Sequence, residues 1–169
     1  WCPTVAPRGG EHVFSGGIYR NVRLVKKHAV HLDWYGTVVT TPSLEENKGK
    51  ASDVRVTACV RNTDDGKQDA YTLALLVKDR LGRVVAECSE TKKIKAGEVC
   101  AYDLKTPEIK YPELWSPNSP SLYTLESRLY AGKHLLDMEE IVFGFRWFKW
   151  TKDKGFFLNG QHYYFRGAN

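Results

Sequence analysis

Paired carboxylates come first, because two acids held on either side of one substrate bond supply the acid and the nucleophile or base of glycoside and ester chemistry. Three adjacent acidic pairs occur: Glu45-Glu46, Asp64-Asp65 and Glu139-Glu140. Neighbouring residues on a strand point to opposite faces, so such pairs do not converge on one atom. Asp64-Asp65 falls in the turn-forming run Asn62–Gly66. All three pairs read as solvated surface. Neither a Gly-x-Ser-x-Gly elbow nor a P-loop is present.

Metal chemistry fares no better. His12, His28, His31, His134 and His162 have no ligand-like spacing, and His28 and His31, three apart on strands, should face opposite ways. Cys2, Cys59, Cys88 and Cys100 form no Cys-x-x-Cys and have no histidine at zinc-finger spacing. No metal and no cofactor is expected. Three disulfide pairings are open to the four cysteines, and single thiols packed on strands are the default reading.

Aromatic rings are the remaining chemical resource: five Trp, nine Tyr and seven Phe in 169 residues. Trp147, Phe148 and Trp150 have the faces to stack on the C–H side of a pyranose. The plainer reading, preferred here, is that they pack at a seam with a neighbouring domain. Trp115 reads as core. Trp34 and Tyr35 are further aromatics with the same capacity. The net charge is +5, but the basic residues are scattered, and the densest runs are Lys26-Lys27-His28 and Lys92-Lys93-Ile94-Lys95. A nucleic-acid interface needs a continuous basic stripe, so no nucleic-acid partner is expected. No run approaches the roughly 18 apolar residues of a membrane span.

The elements that must carry these side chains are strands. In Asp53–Arg61, Val54, Val56, Ala58 and Val60 share one face while Asp53, Arg55, Thr57 and Arg61 share the other. Tyr71, Leu73, Leu75 and Val77 alternate on a second strand, Val84–Cys88 form a third and Val99–Leu104 a fourth. Tyr123–Leu129 and Leu135–Phe143 follow, and upstream Ile18–Val25 and Ala29–Val39 read as two more. Four prolines from Pro107 to Pro120 make that stretch an irregular connection, with Leu114-Trp115 as a plug in the core. No window shows a helical repeat. About seven short strands with regular turns predict an all-β fold, an antiparallel immunoglobulin-like β-sandwich. Cys59 is out of phase with the inward residues of its strand and Tyr123–Tyr130 holds no cysteine, so packing alone should hold the sheets together.

The C-terminal segment behaves differently. Asn159-Gly160 between two apolar runs predicts a type I′ hairpin, since both residues must take φ > 0. A lone aromatic hairpin needs something to pack on. The segment therefore reads as the start of a following domain, and the Pro/Gly-rich head as the end of a preceding one. A chain opening on Trp1 without Met fits excision from a larger protein.

Three stretches together resemble glycoside hydrolase family 2, the β-galactosidase, β-glucuronidase and β-mannosidase family. They are Gly17-Ile18-Tyr19-Arg20-Asn21-Val22-Arg23-Leu24; Leu114-Trp115-Ser116-Pro117 continuing to Pro120-Ser121-Leu122-Tyr123; and Phe143-Gly144-Phe145-Arg146 followed by Gly155–Gly160 and Phe165–Asn169. The resemblance covers residues 16–169. It implies that 1–25 end a sugar-binding jelly roll, 26–144 form the immunoglobulin-like domain, and 145–169 lead into a catalytic TIM barrel. It implies a retaining β-glycosidase as parent, acting on an oligosaccharide, with two glutamates on barrel strands as its catalytic pair. The family's Asn-Glu motif is absent from this chain, so no catalytic residue is assigned. Arg166 and Asn169 are the implied substrate-binding residues, lining the glycone pocket in the intact parent. The competing expectation is a stand-alone carbohydrate-binding sandwich using Trp34, Tyr35, Trp147 and Trp150. No compartment is assigned.

Overall fold

The computed structural model describes residue 18 and residues 20–64, 69–165 and 167. In chain order the strands are β1 (Val30–Thr40), β2 (Ala51–Ser52), β3 (Arg55–Asn62), β4 (Asp69–Lys78), β5 (Val84–Ile94), β6 (Val99–Lys105) and β7 (Ile109–Lys110). They continue as β8 (Trp115–Ser116), β9 (Ser119–Pro120), β10 (Tyr123–Ala131), β11 (His134–Phe143), β12 (Phe148–Thr151), β13 (Gly155–Leu158) and β14 (Gln161–His162). Seven long strands make two antiparallel sheets, β1-β3-β6 and β11-β10-β4-β5. This is the expected immunoglobulin-like sandwich. Among the described residues there is no helix, and none therefore long and apolar enough to cross a membrane.

Alternation decides which side chains meet between the sheets. Val56, Ala58 and Val60 on β3 point inward, as do Tyr71, Leu73, Leu75 and Val77 on β4 and Tyr123, Leu125 and Leu129 on β10, and all are buried. Tyr102 on β6 is buried with them, and its hydroxyl donates to the Tyr71 carbonyl across the sandwich at 2.8 Å. Burial pushes that phenol up to about 12. One flank is closed by Asp137 on β11, whose carboxylate accepts from the Leu32 backbone N–H at 2.9 Å and from Lys27 Nζ at 3.1 Å. Cys59, Cys88 and Cys100 are unpaired and half-buried, so packing and these polar ties hold the sheets together. Cys2 lies outside the described residues.

Four expectations need correction. Residues 20–28 make no strand, and Val22, Leu24 and Val25 stand exposed: among the described residues their apolar alternation has no ladder partner. Asp53, grouped with Arg55, Thr57 and Arg61 on one strand face, lies outside β3 and is buried. It accepts from the Ser43 hydroxyl and pairs with Lys105 at 3.5 Å. Burial alone would raise its pKa, but these partners hold the carboxyl below its ordinary value. Glu45-Glu46 sits in a compact run of turns over residues 42–49, not on a strand. His28 and His31 are brought together by the entry into β1: His31 Nδ1 lies 2.7 Å from the His28 carbonyl, and His28 Nδ1 accepts from the Val30 N–H. The proline-rich stretch is irregular as expected, relieved only by the short pairings β2–β7 and β8–β9.

Candidate functional site

The most distinctive surface begins where β11 ends. Phe145 is fully buried, against Tyr123 at 4.8 Å in an edge-on contact and against Phe143 at 5.4 Å. Its carbonyl accepts from the Trp115 N–H at 2.9 Å, and Leu114 forms a parallel bridge with it. Trp115 is half-buried there, with the Arg146 guanidinium 4.4 Å over its ring. Gly144 makes this stacking possible: a Cβ at that position would lie 2.7 Å from the Trp115 Cβ. Gly144→Ala should therefore cost about 1–3 kcal/mol, read from urea denaturation, by forcing Trp115 off its seat.

Beyond Arg146 the chain builds a third sheet, β12-β13-β14. Sequence reading found the β13–β14 hairpin and singled out Phe148 and Trp150 as aromatics, but did not place them on a strand. The turn is the one expected: Asn159 and Gly160 have φ of 51° and 79°, and Leu158 pairs with Gln161 across it. Asn159 also does something its turn preference does not reveal. Its side chain accepts from the Trp147 N–H at 3.2 Å and donates to the Trp115 carbonyl at 3.0 Å, clamping the hairpin to the sandwich. Trp147 packs partly buried against the core, over Gly49 and Gly160. Its indole is thus engaged within this chain, between the core, Gly49 and Gly160.

Cross-strand register puts Phe148 opposite Leu158 and Trp150 opposite Phe156, so these four share one face. Phe165 stacks on Trp150 at 5.5 Å and on Phe156 at 4.5 Å. Phe148, Trp150, Tyr164 and Phe165 are each more than half exposed. Between this face and Trp115 runs a groove of about 660 Å³, lined chiefly by Trp115, Arg146, Phe148, Phe156, Tyr164 and Phe165. Among the described residues no carboxylate, thiol or imidazole lines it.

Elsewhere the acids are engaged structurally. Glu139 accepts from the Thr37 hydroxyl at 2.7 Å, and its neighbour Glu140 is exposed. Asp33 is gripped by Arg61 in a two-pronged pair at 2.8 and 3.0 Å, which holds its carboxyl below the ordinary value. Glu126 is the acid that sequence reading missed: it is buried on β10 and paired with both Lys78 and Arg128. Its neighbours alternate as on a half-exposed strand, and only the registry with β4 reveals the pairing. No group of three potential metal ligands occurs among the described residues. Asp65, His12, Arg166 and Asn169 lie outside the described residues.

The sequence model of glycosyl hydrolases family 2 matches residues 30–146, more than half of the chain. The chain belongs to glycosyl hydrolases family 2. A β-galactosidase of Bacteroides ovatus is 33% identical over 149 residues, covering 88% of this chain and 17% of that protein. A β-glucuronidase of Formosa agariphila is 30% identical over 158 residues, covering 89% of this chain and 16% of that protein. The crystal structure of a Bacteroides uniformis β-glucuronidase superposes with a TM-score of 0.75 at 29% identity, over 82% of this chain and 17% of that one. This family 2 chain thus spans under a fifth of the length of these relatives.

Proposed function

We propose that residues 26–144 are a non-catalytic spacer domain of a retaining, β-galactosidase-like family 2 glycosidase that cleaves terminal β-glycosidic bonds of an oligosaccharide. Residues 1–25 then end a jelly roll, and 145–169 lead into the catalytic barrel. The observation that carries this reading is the aromatic face of β12–β14. A continuous exposed aromatic patch of this kind supports contact with another domain. The small share of each relative that the chain covers supports it. In the intact parent, Arg166 and Asn169 would line the glycone pocket at the first barrel strand.

The 169-residue chain alone should release no nitrophenol from nitrophenyl β-galactoside, β-glucuronide or β-mannoside. Turnover above the buffer rate would overturn the reading. For the parent, a higher kcat/KM on the galactoside than on the glucuronide is expected. The stand-alone carbohydrate-binding reading is weaker, because Trp147 packs against the core and Trp34 and Trp150 sit on different sheets.

A further inference from the structure

β1 carries an irregularity that its sheet does not need. Leu32 pairs with Val60 and Thr37 with Ala58, so the four residues Asp33-Trp34-Tyr35-Gly36 stand opposite Cys59 alone. Bulges of this kind re-aim side chains and are built features rather than defects. Tyr35 is held at φ 54°, a left-handed conformation that costs energy for a residue with a Cβ. Gly36 fits the closure closely, since a Cβ there would lie 3.1 Å from both the Asp33 carbonyl oxygen and the Cys59 Cβ. Asp33 pins the base of the bulge through its Arg61 fork and through the Trp34 N–H at 3.0 Å. All this presents two rings to solvent: Trp34 is 61% and Tyr35 89% exposed, set edge to face at 5.4 Å.

The surroundings decide what such a pair suits. Outward-facing neighbours on β1 and β3 are His31, Thr40, Arg55, Thr57 and Arg61, with Val38 and Cys59 the exceptions. The exposed apolar area on β1 and β3 is thus the two rings and Val38, bordered by polar side chains. That is far below the roughly 800 Å² per partner that a stable protein interface buries. It matches a pyranose, whose apolar C–H face is rimmed by hydroxyls. The face on β12–β14 is the opposite case, a continuous aromatic sheet.

We propose that the Asp33–Gly36 bulge is a carbohydrate contact, where Trp34 and Tyr35 stack on a pyranose and Arg61 and His31 supply hydrogen bonds to its hydroxyls. It rests on the glycosidase reading and deepens it: the domain would itself hold part of an oligosaccharide. The test titrates the full chain with β-1,4-galactotetraose, and with cellotetraose as a second probe, following indole signals in ¹H–¹⁵N spectra. Saturable shifts of the Trp34 indole are expected, with a Kd near about 1 mM. Trp34→Ala should weaken binding about tenfold. Tyr35→Gly should weaken it similarly while leaving Tm unchanged or higher, because glycine takes the left-handed backbone freely. Trp150→Ala should leave binding unchanged. No saturable shift with either sugar at about 10 mM, or binding lost in Trp150→Ala but kept in Trp34→Ala, would overturn the site. Neither result bears on the spacer reading, which stands or falls on turnover.

Discussion

Phe145→Ala should lower the stability of the chain by about 3–5 kcal/mol, among the largest effects of any single truncation here. Phe145 has no exposed surface, and its ring meets Tyr123 edge-on and Phe143 at an angle. The space it leaves cannot readily collapse. Tyr123 is anchored from the other side, its hydroxyl accepting from the Glu113 N–H at 3.0 Å, and Trp115 is held by the Phe145 carbonyl and by Asn159. A cavity between fixed walls forfeits dispersion contacts as well as transfer free energy. Urea denaturation followed by tryptophan fluorescence measures the loss. Hydrogen exchange adds a second readout: the Trp115 and Asn159 amides, which bond to Phe145 and Trp147 carbonyls, should lose protection before those of β4 and β10. A loss below about 1 kcal/mol would mean that the seam is not part of the sandwich core.

How far the sequence shows this arrangement depends on what each residue's behaviour requires. Val56, Ala58 and Val60, and likewise Tyr71 to Val77, reveal their strands because burial on one face writes period-two alternation directly into the chain. Asn159-Gly160 reveals its turn because few other residues accept positive φ at both positions. Glu126 could not be read this way. Its position on β10 looks solvent-facing, and only the pairing of β10 with β4 and its own neighbour two residues on place cations over it. The Asp33–Gly36 bulge is hidden for the same reason: an excess of four residues against one exists only in the pairing, not in the order of residues. Ile18–Val25 shows the converse failure. Its alternation is real in the sequence, yet no described residue offers residues 20–25 a ladder. The aromatic sheet lies between these cases. Phe148 and Trp150 alternate with Lys149 and Thr151, and the pattern belongs to a strand, but it could be assigned only once Phe156 and Leu158 were seen opposite. For the groove itself, the sequence supplied the residue types, while the third sheet that arrays them appears only in the pairing of β12, β13 and β14.

Glu126→Ala should destabilise the chain by about 2 kcal/mol at pH 7 and by much less near pH 2. Glu126 is 3% exposed and is paired with Lys78 from the neighbouring strand and Arg128 from its own. Removing it leaves two cations side by side without their counter-ion. A fully buried pair broken in this way loses about 3–5 kcal/mol, but the Lys78 and Arg128 side chains keep 23% and 36% of their exposure, so water recovers part of the loss. The pH dependence follows from the carboxyl itself. The Lys78 contact, opposed by burial and helped by Arg128, holds its pKa below the ordinary carboxylate value. The unfolded chain therefore takes up its proton at higher pH than the folded chain does. The stabilisation is complete above about pH 5 and fades as pH falls through the folded-state value. Asp33, Asp53, Asp79 and Asp103 are shifted the same way, so the wild-type chain should lose stability steadily on acidification. In strong acid Glu126 is protonated, its cations are unpaired in both proteins, and the wild-type and variant curves should converge. Urea midpoints at pH 7, 4 and 2.5 at constant ionic strength provide the measurement. A deficit that stays the same at all three would show that Glu126 acts by packing, and that its charge contributes nothing.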